Sequence, residues 1–207
     1  MSMTIRAVIF DVGGVLVRTE RRTARRQWEE RLGLPEFGLG KAVFGSEMSA
    51  RASIGQASVA DVWRHVATQF RLDEKQMHEL ERDFWSDDWL DTELAQFVRD
   101  LRSRCKTGIL SNAWPEARKV LTVKFRLADA VDVMILSAEV GCAKPDARIY
   151  QIAVERLDVR FDEAVFVDDM AENVAAAQTL GIVGIQFHNT AQTLAEIKRY
   201  LDEQHQA

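Results

Sequence analysis

Five short apolar runs, with a long gap between the first and the second, constrain this chain more than any other feature. They are Ala7-Val-Ile-Phe10, Thr107-Gly-Ile-Leu110, Val131-Asp-Val-Met-Ile-Leu136, Ala164-Val-Phe-Val167 and Ile182-Val-Gly-Ile-Gln-Phe187. Mostly continuous rather than alternating, they read as strands buried on both faces, as in a parallel sheet. Helical spacings separate them: Leu94, Phe97, Val98 and Leu101, then Ile149, Tyr150, Ala153, Val154 and Leu157, then a run from Met170 to Leu180 closed by Gly181. Alternation of strand and helix predicts an α/β fold, a doubly wound parallel sheet of Rossmann-like type.

The gap, residues 17–88, carries no convincing strand and is too long for an ordinary crossover. Its helical spacings, such as Val62, Trp63, Val66, Ala67 and Phe70, predict a helical cap inserted after the first strand, with Gly38, Gly40, Gly45 and Gly55 as breaks between its helices. The expected division is a core of residues 1–17 and 90–207 and a cap of residues 18–89, hinged near 17–20 and 86–91.

Composition narrows the partners. The 207 residues hold 27 Lys+Arg against 32 Asp+Glu, a net charge of −5, and no basic face spans the chain, so no nucleic-acid partner is expected. Cys105 and Cys142 are the only cysteines and form no CxxC, which argues against a disulfide framework or a structural zinc. The start lacks the build of a signal peptide, and no apolar run approaches the roughly 20 residues of a membrane span, so the expectation is a cytoplasmic chain without a membrane partner. Neither a monomer nor a homodimer is favoured.

In doubly wound sheets the loops after the strands carry the ligand site. The first strand ends in Phe10-Asp11-Val12-Gly13-Gly14, a carboxylate followed by glycines that let a ligand approach the backbone. The second leads into Ser111-Asn112-Ala113, a hydroxyl and backbone donors suited to an anionic oxygen. Lys144 precedes Pro145-Asp146, which reads as a helix start. Asp168-Asp169 puts two carboxylates at another strand tip, a costly arrangement without a cation or ammonium nearby. Taken singly, the first three read as well as turns, caps or a solvent-facing lysine.

The order Asp, Ser-Asn, Lys-Pro, Asp-Asp at successive strand tips resembles the four motifs of the haloacid dehalogenase (HAD) superfamily over nearly the whole chain. The phrases around Asp11, Ser111 and Asp168 are most similar to the subgroup of the epoxide hydrolase phosphatase domain and bacterial sugar-phosphate phosphatases. The resemblance implies an Mg²⁺-dependent phosphatase acting on a small phosphorylated metabolite, with Asp11 as nucleophile forming an aspartyl phosphate. It implies Mg²⁺ on Asp11, the Gly13 carbonyl and Asp169, pairing of Asp168 with Lys144, and phosphoryl binding by Ser111, Asn112 and Lys144. It also makes Asn173, one helical turn beyond Asp169, the residue that orients that carboxylate. Gly13 departs from the pattern, since phosphatases of the superfamily carry there an Asp that protonates the leaving oxygen. A slow phosphatase, a labile substrate, or an acid from the cap such as Glu20 are the implied consequences. A 2-haloacid dehalogenase and a non-catalytic binding domain are the alternatives.

Arg18, Arg21, Arg22, Arg25 and Arg26 fall along one side of an expected helix and read as a solvated face balanced by Glu20, Glu29 and Glu30, with Arg18 as the candidate substrate contact. Trp28, Trp63, Trp85 and Trp89 read as core, and Trp114, just after Ser111-Asn112, as a pocket wall. His65, His78, His188 and His205 show no paired spacing and receive no role.

Overall fold

The computed structural model describes residues 4–202. His205 and both extremes of the expected core range lie outside the described residues. In chain order the elements are β1 (Ala7–Phe10), β2 (Val17–Arg18), α1 (Thr23–Leu32), α2 (Gly38–Phe44), α3 (Glu47–Ser53), α4 (Val59–Phe70), α5 (Glu74–Phe84), β3 (Trp89–Leu90) and α6 (Thr92–Leu101). They continue with β4 (Lys106–Ser111), α7 (Ala117–Val123), β5 (Val133–Leu136), α8 (Ser137–Val140), α9 (Ala147–Leu157), β6 (Ala164–Asp168), α10 (Ala171–Thr179), β7 (Val183–Gln186) and α11 (Thr190–Asp202).

All five apolar runs become strands of one parallel sheet in the order β5-β4-β1-β6-β7. Their continuity has a direct cause. On β1, Val8 and Phe10 face a cluster that includes Leu94 and Val98 of α6 and Ile197 of α11, whereas Ala7 and Ile9 face Ile149 and Ala153 of α9 and Ala177 of α10. Both faces of the pleat are covered, so neither can be polar. With β1 in the middle of the order, Asp11 falls at the centre of the sheet edge where β4 and β6 also end.

Between β1 and β4 the helices α1 to α5 enclose their own apolar cluster of Trp28, Leu39, Val43, Trp63, Val66, Leu80 and Phe84. Capping boxes start α4, with Ser58 and Asp61, and α5, with Asp73 and Gln76. Gly45 and Gly55 do follow helix ends and Gly38 opens α2, but Gly40 lies inside α2. Close packing accounts for Gly38, where a Cβ would come within 3.0 Å of Leu34 and Pro35.

The junctions are more ordered than hinge loops. β2 and β3 pair antiparallel, Val17 opposite Leu90 and Arg18 opposite Trp89, a two-residue ribbon whose first strand falls inside the stretch read as strand-free and whose second directly follows it. The expected arginine helix face is also corrected. α1 begins only at Thr23, and Arg25 is buried, donating to the Phe84 carbonyl at 2.8 Å and to Asp88 at 3.1 Å. Arg22 pairs with Glu29 at 2.8 Å, and Thr19 donates to Asp88. Arg25 is thus held by an acid at the far end of the insertion, whereas Arg22 is balanced by Glu29 as expected. Trp28 and Trp63 are core as expected, while Trp89 is 36% exposed beneath the Arg18 guanidinium.

Candidate active site

Four chain segments meet at the carboxyl ends of β1, β4 and β6. Asp11 follows β1, its backbone N–H donating to the Val167 carbonyl at 2.8 Å, and one carboxylate oxygen accepts from the Val12 N–H at 2.6 Å. Lys144 precedes α9, whose N-cap is Asp146. Its ammonium, only 1% exposed, lies 2.6 Å from Asp168 Oδ2 and 3.0 Å from Asp11 Oδ1. A buried ammonium survives because two carboxylates repay its desolvation.

Asp168 is fully engaged. Besides Lys144 it accepts from the Met170 N–H at 2.8 Å and, through both oxygens, from Asn173 Nδ2 at 3.1 Å. Asn173 therefore orients Asp168 and not Asp169. From one turn into α10 its amide reaches back to the strand tip, and its own carbonyl accepts from the Tyr150 hydroxyl at 2.9 Å.

Asp169 lies against Gly14. A Cβ on Gly14 would fall 2.4 Å from Asp169 Oδ2, and the φ of Gly14 is +78°, so only glycine admits this approach. Oxygens of Asp11, Asp168 and Asp169 lie within 4.8 Å of one another, a cluster that could hold a metal ion. Three carboxylates are thus gathered around one ammonium. Burial, then the charges of Asp11 and Asp168, push Asp169 up to about 6. Burial also raises Asp11, against the lowering effect of Lys144 and with a further rise from Asp168.

Ser111 ends β4 and is buried beside this group. The Asn112 side chain spans the backbone of Lys144, donating to its carbonyl at 2.9 Å and accepting from its N–H at 2.8 Å. Gly13 is exposed, and an added Cβ there would meet nothing within 4 Å. Two expected residues lie apart from the Asp11–Lys144–Asp168 contacts. Arg18 is bound by Asp91 at 3.0 Å and Glu20 at 3.2 Å, with its guanidinium 4.5 Å from the centre of the Trp89 ring. Trp114 joins the aromatic cluster of the insertion, with ring centres 5.7 Å from Phe44, 5.8 Å from Trp85 and 6.2 Å from Trp63. The sequence gives no signal for Ser137, which is wholly buried and whose hydroxyl engages the Ala113 N–H at 2.9 Å and carbonyl at 3.2 Å.

Among the described residues no helix is long and apolar enough to cross a membrane. Comparison with known proteins agrees with the site. The chain is 30% identical over 207 residues to a phosphatase of Mycobacterium tuberculosis, covering 96% of this chain and 94% of that protein. It is 25% identical over 201 residues to a sesquiterpene phosphatase of Aspergillus oryzae, covering 96% and 98%. A HAD-family enzyme of Bacteroides thetaiotaomicron, solved in complex with magnesium and inorganic phosphate, has the same fold, with a TM-score of 0.74 at 20% identity over 92% of this chain and 98% of that one. The family profile described as haloacid dehalogenase-like hydrolase matches residues 5–181, which span every strand tip of the site. By that match, and by the motifs gathered around Lys144, the chain belongs to the haloacid dehalogenase-like hydrolases.

Proposed function

We propose that the protein is an Mg²⁺-dependent phosphatase that hydrolyses a small phosphorylated metabolite through an aspartyl phosphate on Asp11. The observation that carries this reading is the buried Lys144 ammonium held between Asp11 and Asp168, with a third carboxylate, Asp169, clustered beside them. A phosphoryl group brought there meets a fixed cation and a carboxylate nucleophile at once.

The donor set fits Mg²⁺, being all oxygen with an excess of negative charge, and the absence of a Cβ at Gly14 leaves the room that the Asp169 carboxylate occupies. Asp11, the Gly13 carbonyl and Asp169 would hold the ion. When bound, it supplies positive charge for phosphoryl oxygens. Asp11 attacks phosphorus, the Asp11 oxygen–phosphorus bond forms as the ester P–O bond breaks, and the leaving oxygen takes a proton from solvent water. Water then attacks the phosphoryl group, releasing phosphate and freeing Asp11. Ser111, the Asn112 backbone and Lys144 bind the phosphoryl oxygens, while Asp168 and Asn173 keep Lys144 in place. Position 13 offers no carboxyl for the leaving oxygen, so labile esters are the favoured substrates. The helices of residues 18–89 act as the cap that covers the strand tips and selects the substrate, with Trp114 at the boundary. The two phosphatase relatives and the magnesium–phosphate complex of the Bacteroides enzyme support this reading.

The test is phosphate release from para-nitrophenyl phosphate. Release by the wild type that needs Mg²⁺ and is abolished in Asp11→Asn supports the proposal. No release under any metal condition, with chloride release from a 2-haloacid, overturns it in favour of a dehalogenase.

A further inference from the structure

The segment Ala113–Trp114, which continues the proposed phosphate-binding loop, is held from two sides. From the core, the Ser137 hydroxyl spans the Ala113 peptide groups, accepting from the N–H at 2.9 Å and donating to the carbonyl at 3.2 Å. From the cap, Ser49 of α3 accepts a hydrogen bond from Trp114 Nε1 at 3.1 Å. Ser137 and Ser49 are 0% and 2% exposed, so water replaces neither partner. The turn after α3 also meets the residue next to Ser137. A Cβ on Gly55, whose φ is +75°, would come 2.4 Å from the Ala138 carbonyl oxygen. One patch of the cap thus seats on both sides of the Ser137–Ala113 contact.

We infer that Ser137 and Ser49 are positioning residues that set the Ser111–Ala113 loop for phosphoryl binding only while the cap is docked, so that cap seating and phosphate affinity are coupled. The inference rests on the phosphatase reading. Neither serine touches the Asp11–Lys144–Asp168 group, and Ser49 belongs to a different cluster of helices, so a purely local view gives Ser49 no influence on a bare phosphate ion. With coupling, each ligand state favours the other by the same factor.

The experiment measures inhibition by inorganic phosphate in Mg²⁺, with para-nitrophenyl phosphate as reporter, for the wild type, Ser137→Ala, Ser49→Ala, the double variant and Gly55→Ala. Loss of one buried hydrogen bond corresponds to a weakening of up to about tenfold. Phosphate affinity is expected to fall by that order in Ser137→Ala and several-fold in Ser49→Ala and Gly55→Ala, with the double variant weaker than the wild type by less than the product of the two single effects. Ser49→Thr, which keeps the hydroxyl, is expected to regain wild-type affinity. If Ser137→Ala fails to fold, the two cap variants carry the test. Unchanged phosphate affinity in Ser49→Ala and Gly55→Ala, with only KM altered, overturns the inference and leaves Trp114 a simple wall. A wild type that neither releases nor binds phosphate overturns the phosphatase reading itself.

Discussion

Replacing Gly13 by aspartate puts a carboxyl group two residues beyond Asp11, the position to which the family resemblance assigns the acid that protonates the leaving oxygen of the substrate. The structure leaves room for it. An added Cβ meets nothing within 4 Å, the backbone is outside the left-handed region that favours glycine, and the residue is exposed. Removing glycine's freedom in the unfolded chain is worth about 0.4–1 kcal/mol, so stability is expected to hold or rise slightly. The chemical gain is larger. A positioned general acid is worth about 10²–10⁴ in rate, or roughly 3–5 kcal/mol of barrier. That gain is realised only where the leaving oxygen needs the proton. Turnover of an alkyl phosphate such as glycerol phosphate is therefore expected to rise about 10²–10⁴-fold, while para-nitrophenyl phosphate, whose phenolate departs unaided, changes by less than about tenfold. Gly13→Asn is the control, matching shape without a proton to give. Equal acceleration of both esters, or none in a variant that melts like the wild type, would refute the argument that leaving-group protonation is what this site lacks.

Lys144→Met strips the buried ammonium from Asp11 and Asp168 and is expected to cost about 3–5 kcal/mol at pH 7.5. Urea titrations should show the loss shrinking toward pH 5, because burial already raises Asp11 and protonation relieves the unpaired charge. The acidity of Asp169 gives a second pH test. Its folded pKa of about 6 lies above the ordinary 3.8, so the folded state binds more protons than the unfolded one between these values. The stabilising contribution is complete below about pH 4 and is lost as pH rises through 6, unless a cation replaces the proton. Mg²⁺ is thus expected to raise the melting temperature more at pH 7.5 than at pH 5, and Asp169→Asn to abolish the difference. Arg18→Met is expected to lower stability by about 1–3 kcal/mol, since it leaves Asp91 buried without its cation, yet to leave KM unchanged. A raised KM with an unaltered melting temperature would make Arg18 a substrate contact instead.

The sheet was legible because burial on both faces writes an uninterrupted apolar run, and the strand-tip acids and lysine were legible because such residues directly after such runs are unusual. What escaped depends on partners distant in sequence. Arg25 looks like surface charge until Asp88, 63 residues later, folds against it. β2 and β3, two residues each, are too short for any period to register. The choice of Asn173 between two adjacent acids turns on the direction in which Asp168 points from the strand, a detail below the resolution of spacing. Ser137 gave no sign because a hydroxyl's role is set entirely by what the fold places beside it.

The ribbon of β2 and β3 has a consequence for how this architecture can vary. Because Val17 and Leu90 are cross-strand partners, the chain leaves the sheet domain and returns to it at a single point of attachment. Neighbouring antiparallel strands lie about 5 Å apart, a gap that a two-residue turn closes. The intervening helices are therefore a graft on one stem. They can lengthen, shorten or be exchanged without altering the register of any of the five parallel strands, so long as a replacement keeps the contacts that α3 and its following turn make with Trp114 and Ala138.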